Sequence, residues 1–253
     1  MKTLILFLLS CGSLFAQLNI SNPFYVAPIL KASSAACTTP TAGNELSTEG
    51  FQTATTGYER SGWGTATGSP DPYYDISALT TGQPSGSCTR GFRSNYAVSG
   101  TFNYNAWDRG AAITTTVYTR MYIYIVSHSI SSPHVAYLGG VFKTTMGSGG
   151  NVASVVMKNN AGQLEIYGAG STDSTKVNVS VGQWYRVEMK VVPNGTCEIK
   201  VDGGSAATFT ATGYTNWDVV GVGTYSTSAN AFTFNDTIFD LVGADTTGYM
   251  GAP

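Results

Sequence analysis

Residues 117–128 read Val-Tyr-Thr-Arg-Met-Tyr-Ile-Tyr-Ile-Val-Ser-His. Successive side chains of a β-strand point to opposite faces of its sheet. One face of such a strand contains Val117, Thr119, Met121, Ile123 and Ile125. The other face contains Tyr118, Arg120, Tyr122, Tyr124, Val126 and His128. The segment therefore predicts a strand with an apolar face against a core and a second face of aromatic and cationic side chains.

Similar short alternating segments follow one another along the chain, and helical periodicity is nearly absent. Clusters of Gly, Pro, Asn and Asp separate them, which is typical of a β-sandwich or a barrel. They predict strands at residues 45–51, 114–126, 135–143, 152–158, 163–167, 184–192, 197–201, 219–225 and 232–242, and hairpin turns at 159–162 and 193–195. We expect an extended lead-in over residues 17–44 and a single sandwich domain over residues 45–253.

Residues 1–16 have the pattern of a secretory signal peptide. Lys2 supplies a positive charge, residues 4–9 are apolar, and Ala16 places a small residue before the cleavage point. The apolar run is too short to span a bilayer, and no later run is long enough. We expect cleavage near Ala16 and a secreted or cell-surface protein. Lipidation at Cys11 is the second interpretation.

The charge balance argues against a nucleic-acid partner. Loss of Lys2 with the signal peptide leaves 12 basic and 15 acidic residues, a formal charge of −3. So few charges provide no basic surface for a phosphate backbone. Aromatic residues make up 12% of the chain, which argues against disorder because they supply apolar area for a core.

Three cysteines remain after cleavage at Ala16, and export permits a disulfide between two of them. Cys197 alternates in phase with Ile199 and Val201, so we expect its side chain in the core. Cys37 and Cys88 lie in Ser/Thr/Gly-rich sequence, and we predict that these two are paired. Three unpaired thiols are the alternative.

A resemblance to a known superfamily rests on the order of several motifs. In residues 182–191 and 198–203, Trp184 opens one strand and Asp202-Gly203 closes its partner. Residues 117–125, 237–242, 49–51 and 61–63 are similar to the central, closing and opening segments of the same group. Over about residues 45–250 the chain thus resembles concanavalin A-like and laminin-G-like domains. The resemblance implies an all-β, two-sheet antiparallel jelly-roll sandwich, whose concave sheet is where the superfamily binds glycans.

The polar face of residues 117–128 is the predicted ligand-binding site. Tyrosine rings stack on the apolar faces of sugars, and hydroxyl and guanidinium groups donate hydrogen bonds. We expect this face to form one open concave surface that binds a polysaccharide or cell-surface glycan. The predicted contact residues are Tyr118, Arg120, Tyr122, Tyr124, His128, Glu165 and Tyr167. Cross-strand aromatic pairing with a purely structural role is the alternative.

The sequence favours binding over catalysis. A glycosidase needs two carboxylates across the scissile bond, and none of the predicted strands between residues 114 and 225 contains two acidic residues. Asp236 and Asp240 are four residues apart, but the first of them is placed in the turn that enters its strand. Glu188 is assigned to a solvated ion-pair row. A polysaccharide lyase that uses Arg120, Tyr122, Tyr124 and His128 for carboxylate neutralisation and proton transfer is the alternative. A structural surface or matrix protein without a small ligand is the third hypothesis.

Metal binding has little support in the sequence. His128 and His134 have no nearby cysteine or acidic residue, so we predict no transition-metal site. A structural calcium ion would take its ligands from the acidic turns that contain Asp71 and Asp75, or Asp236 and Asp240. We predict no other cofactor.

Overall fold

The computed structural model describes residues 45–49, 73–75, 90–96, 103–132, 134–143, 150–225 and 235–251. These residues form strands and turns and contain no helix. The strands are β1 (Glu45–Glu49), β2 (Tyr73–Asp75), β3 (Arg90–Tyr96), β4 (Asn103–Ile113), β5 (Val117–His128), β6 (Val135–Phe142), β7 (Asn151–Asn160), β8 (Gln163–Ala169), β9 (Val177–Val179), β10 (Trp184–Val191), β11 (Gly195–Val201), β12 (Ala207–Ala211), β13 (Trp217–Tyr225) and β14 (Asn235–Asp245). No membrane-spanning helix occurs in this part of the chain.

The strands form two antiparallel sheets. The larger sheet has the order β12-β11-β10-β5-β14-β3-β2, with β1 paired to β14, and the smaller sheet has the order β4-β13-β6-β7-β8-β9. The predicted strand of residues 117–128 therefore lies at the centre of the larger sheet, between β10 and β14. The fold class predicted from the sequence, an all-β two-sheet antiparallel sandwich of jelly-roll type, is confirmed.

One hydrophobic core lies between the two sheets. The larger sheet contributes Ile123, Met189 and Phe239, and the smaller sheet contributes Met157 and Ile166. All of these side chains are inaccessible to solvent, as the period-two alternation of each strand requires. The strand order is thus fixed by side chains from distant parts of the sequence that meet in the core.

Cys197 occupies this core, as the sequence predicted, and its thiol is free. Burial raises the pKa of the thiol, so it stays protonated and unreactive at neutral pH. Cys37 and Cys88 lie outside the described residues, and their pairing stays a prediction.

The two predicted hairpin turns are confirmed. Ala161 has a φ of 50° in the β7–β8 turn, and the amide of Gly162 donates to Oδ1 of Asn159 at 2.8 Å. Asn194 has a φ of 55° in the β10–β11 turn. Asn194 adopts such a left-handed conformation readily, and in the first turn Gly162, which also has a positive φ, follows Ala161. The β10–β11 turn brings the residues that follow β10 back beside it.

Candidate functional site

The second face of β5 lies on the side of the larger sheet that faces away from the core, here called the outer face. On β5, Met121 and Ile123 point into the core, whereas Tyr122 and Tyr124 belong to a separate apolar cluster on the outer face. The alternation predicted from the sequence is therefore confirmed. Cross-strand register adds side chains from β10 and β14 to the same face.

An aromatic cluster occupies one end of the outer face. Tyr124 of β5 lies opposite Trp184 of β10, and the two ring centroids are 5.4 Å apart with the planes tilted by 56°. The same cluster also contains Tyr122, Ile238, Leu241 and Val126. Tyr124 is half-buried, whereas Trp184 and Tyr122 are only 5% and 6% exposed. Tyr124 is thus the ring of this cluster that is most accessible to a ligand.

Arg186 links the aromatic cluster to the charged part of the outer face. It lies opposite Tyr122 in the register of β10 and β5. Burial raises the pKa of Tyr122, against the lowering effect of the neighbouring Arg186 and Arg120 guanidinium groups. Nε of Arg186 also lies 3.2 Å from Oε2 of Glu188. Tyr122 is therefore a neutral phenol that lies beside the Arg186 guanidinium.

Arg120 has a structural environment rather than an open one. Its side chain is 1% exposed, and its Nε donates to the carbonyl oxygen of Leu241 at 3.1 Å. Leu241 has a φ of 47° and lies at a bulge, where the register of β14 against β5 shifts between Asp240 and Gly243. The expectation of an open surface is therefore wrong for Arg120 and for Tyr122, because both side chains are buried.

The Tyr118 end of the outer face is covered by residues 246–251, which follow β14. The ring of Tyr249 packs edge-on against Tyr118, with the centroids 5.1 Å apart. Its hydroxyl donates to Oε2 of Glu198 at 2.9 Å, and Nζ of Lys200 lies 3.8 Å from the ring centroid. The sequence offered no local sign of this cover, because its partners are about 50 or more residues away.

Glu188 is held beneath the same segment. Its Oε1 accepts a hydrogen bond from the amide of Gly251 at 2.7 Å, and its side chain is 3% exposed. The assignment of Glu188 to a solvated ion-pair row is therefore wrong, since both the neighbouring Arg186 and residue 251 shield it. Lys190 keeps a partly exposed ion pair, 3.0 Å from Oε1 of Glu198.

His128 ends β5 at the edge of the aromatic cluster. Its Nδ1 accepts from the amide of Ile130 at 3.2 Å, which leaves a proton on Nε2 of the neutral ring. Burial lowers the pKa of His128, so the imidazole is neutral at pH 7.

Glu165 and Tyr167 do not join the β5 residues. Both lie on β8 of the smaller sheet, with side chains away from the core, and are therefore on the opposite side of the sandwich. Tyr167 is 5% exposed beneath Lys176, whose Nζ lies 4.9 Å from the ring centroid. Burial raises the pKa of Tyr167, with a further contribution from Asp173. The seven predicted contact residues therefore do not form one site.

The described residues contain no group of three His, Cys, Asp or Glu side chains arranged for a metal ion. Asp236 lies within β14, so its assignment to a turn is wrong, and both of its carboxylate oxygens accept hydrogen bonds from Arg93. Asp71 lies outside the described residues, and of Asp75 only the backbone in β2 is described. The calcium hypothesis stays a prediction.

No protein-family model and no curated protein sequence matches this chain. Among solved structures, it is similar to an endo-β-1,4-glucuronan lyase from the fungus Trichoderma reesei, with 14% identity, a TM-score of 0.51, and coverage of 80% of this chain and 96% of the lyase. It is also similar to the cellulose-induced protein Cip1, with 14% identity, a TM-score of 0.53, and coverage of 82% and 100%. At this identity the likeness shows the fold alone, a β-sandwich.

Proposed function

We propose that this protein is a non-catalytic carbohydrate-binding or adhesion module, and that it binds a glycan at the aromatic end of the outer face, formed by Tyr122, Tyr124, Trp184 and Arg186. The observation behind this proposal is the accessible Tyr124 ring, backed by Trp184 and adjacent in register to Arg186. An aromatic ring stacks on the apolar face of a sugar, and a guanidinium donates to its hydroxyl or carboxylate groups.

Two features favour binding over catalysis. The lyase hypothesis from the sequence requires Arg120 to reach the substrate carboxylate, but Arg120 is buried and donates to the Leu241 carbonyl. Proton transfer needs a side chain that reaches the sugar, and Tyr122 is only 6% exposed. Stacking on Tyr124 requires neither group to move.

The proposal also assigns the protein to the cell exterior, on the basis of residues 1–16. A signal peptide with its cleavage point after Ala16 would deliver the sandwich to the surface or to the medium, where polysaccharides are available. Sequencing of the exported chain should then begin at Gln17, and a chain that retains Met1 or that is lipidated at Cys11 would contradict this part of the proposal.

The binding proposal is tested with a panel of neutral and uronate polysaccharides, by pull-down and then by calorimetry on the best ligand. Tyr124→Ala should weaken binding about tenfold, because a good aromatic contact contributes roughly 1.5 kcal/mol. Tyr137→Ala is the matched control, since Tyr137 is a half-buried tyrosine on the outer side of the smaller sheet. Failure of the unmutated protein to bind any polysaccharide, or equal losses in the two variants, would reject the proposal.

A polysaccharide lyase is the second candidate, and one observation favours it. Arg186 lies opposite Tyr122 in the register of β10 and β5, so a cation and a phenol are neighbours at the aromatic end. In such a lyase the phenolic oxygen takes the C5 proton of a uronate, the C5–H electron pair forms the C4=C5 double bond as the C4–O bond breaks, and the phenol returns the proton to the leaving glycosidic oxygen. The product absorbs in the ultraviolet. Activity that Tyr122→Phe abolishes would establish this candidate instead.

A further inference from the structure

Residues 246–251 cross the outer face from β14 towards β10 and β11. Oδ1 of Asp245 accepts from the amide and the hydroxyl of Thr247, at 2.6 and 2.7 Å, and so turns the chain at the end of β14. Tyr249 then reaches Glu198 on β11, and the amide of Gly251 reaches Glu188 on β10. The segment therefore covers the sheet at the level of Tyr118, the end opposite to the aromatic cluster.

The contacts of the Tyr249 ring are of the type that a bound sugar ring would make. An aromatic ring, Tyr118, lies against its edge, a carboxylate accepts from its hydroxyl, and the ammonium of Lys200 lies over its face. Tyr118 is one of the residues that the β5 pattern assigns to ligand binding. The segment thus occupies a surface with the same chemistry as the exposed aromatic end.

We infer that residues 246–251 are an intramolecular strap, which occupies the Tyr118 end of the glycan-binding face and limits the site to the aromatic end. This inference rests on the proposed function. When the strap opens, Tyr118, Glu188, Glu198 and Lys200 become available, and the site lengthens along β5 from Tyr124 to Tyr118. A longer oligosaccharide gains contacts on opening, whereas a short one does not.

The attachment of the strap suits an element that opens. Its described contacts with β5, β10 and β11 are made by the Tyr249 side chain and the Gly251 amide, whereas Thr246 and Thr247 are exposed. The carboxylate of Glu198 that holds Tyr249 is itself partly exposed and shared with Lys190. A strap that is closed nine-tenths of the time lowers the apparent affinity for a ligand of the open state about tenfold.

Tyr249→Ala tests the inference, because it removes the contacts with Tyr118, Glu198 and Lys200 together. Thr246→Ala is the matched control in the same segment, since Thr246 is exposed. The first measurement needs no ligand: hydrogen exchange of the peptide that contains residues 246–251 should accelerate in Tyr249→Ala and not in the control. Glu198→Gln provides a second variant that weakens the same hydrogen bond without removing a ring.

The second measurement is calorimetry with β-1,4-glucuronan oligosaccharides of two and six units. The affinity of the six-unit probe should rise about tenfold in Tyr249→Ala, while that of the two-unit probe is unchanged. Faster exchange with no gain for the six-unit probe would overturn the strap and leave the proposed function intact. Unchanged exchange would also overturn it. Absence of binding to either probe in all variants would remove the support for the strap, and the polysaccharide panel then decides whether the proposed function fails with it.

Discussion

The guanidinium of Arg120 is buried against a bulge of the neighbouring strand. Leu241 adopts a left-handed conformation there, which turns its carbonyl out of the regular ladder between β14 and β5. Nε of Arg120 donates to that carbonyl, and the amide of Leu241 donates to its neighbour Asp240 at 2.9 Å. A bulge leaves main-chain groups without ladder partners, and a buried carbonyl without a donor is costly. Arg120 therefore stabilises the fold at the centre of the larger sheet.

Arg120→Lys should lower the free energy of unfolding by about 1–3 kcal/mol, because an ammonium at the end of a flexible stem does not replace the Nε donor at the Leu241 carbonyl. Urea unfolding at neutral pH measures the change. Lys176→Arg is the control, since Lys176 is exposed, and it should stay within about 0.5 kcal/mol. An Arg120→Lys variant as stable as the parent would show that this hydrogen bond contributes nothing.

For single residues, the sequence predicts which face of the sheet a side chain points to, but not whether that side chain is buried. Alternation along β5 correctly assigns Met121 and Ile123 to the core and Tyr122 to the other side. It cannot show that the other side is also covered, because the bulge at Leu241 and the strap with Tyr249 come from residues more than 100 positions away. An arginine flanked by tyrosines has the same local pattern on an open surface and under a cover.

Strand β12 lies at one edge of the larger sheet, and the loop between β8 and β9 covers its free side. The amide of Ser171 donates to the carbonyl of Thr210 at 2.7 Å, and the amide of Thr210 donates to Oγ1 of Thr172 at 2.9 Å. The amide of Thr212 donates to Oγ of Ser171 at 2.7 Å. An uncovered edge strand is a template for pairing with another chain. The loop hydroxyls therefore take the place of a further strand.

The double variant Ser171→Ala, Thr172→Val should increase self-association, because it removes the acceptors for the amides of Thr210 and Thr212 and exposes the edge of β12. Light scattering after mild heating should show earlier aggregation than in the parent. Thr175→Val serves as the control, since Thr175 lies in the same loop and is exposed. Equal aggregation in the two variants would mean that the added apolar surface, rather than the edge, is responsible.

The strap should also respond to acid through Glu198. Glu198 accepts hydrogen bonds from Lys190 and from Tyr249, of which the first has the larger effect. They hold the pKa of the Glu198 carboxyl below its usual range. A lowered pKa in the folded state means that the contribution of Glu198 is complete above the ordinary glutamate pKa, and is lost as the pH falls through the folded value. The Tyr249 ring signals in NMR should therefore shift only at a pH below the ordinary glutamate pKa. In Glu198→Gln this shift should be absent, and its persistence would assign the transition to another carboxyl.

Strand β4, which the sequence did not predict, has a low β-propensity. β4 contains Asn103, Asn105, Asp108 and Gly110, residues that strands usually avoid, and yet it forms eleven residues of strand. Its place depends on pairing with β13, which itself pairs with β6. The predicted start of β5 at residue 114 was three residues early, since the strand begins at Val117. Local sequence therefore identified strands with apolar alternation, while tertiary pairing determined the others.

For the whole molecule, the order of the strands within the two sheets could not be predicted from the sequence. β5 pairs with β10 and β14, whose residues lie about 60 and 120 positions further along the chain. β8 belongs to the other sheet, so Glu165 and Tyr167 lie across the sandwich from Tyr124. The class of fold follows from alternation and turn residues, whereas the composition of a surface depends on these long-range pairings. Residues that share a pattern therefore need not share a site.

We also expect a disulfide to constrain the whole chain. A disulfide between Cys37 and Cys88 closes a loop of about 50 residues and should stabilise the fold by roughly 3–4 kcal/mol, because it restricts the unfolded chain. The double variant Cys37→Ser, Cys88→Ser should lose that amount in urea unfolding. Cys197 is buried with a raised thiol pKa, so it should resist alkylation until the protein unfolds.

Peptide mapping without reductant distinguishes the outcomes. It should find residues 37 and 88 linked, and a single alkylated thiol, Cys197, after unfolding. Cys197→Ser is the control variant and should leave the linked pair in place, because its side chain lies in the core between the sheets. A link that includes Cys197 would require β11 to leave its described position, and would contradict both the pairing and the assignment of this thiol to the core. Three alkylated thiols would instead show that the exported chain folds without a covalent constraint, and the double variant would then be as stable as the parent.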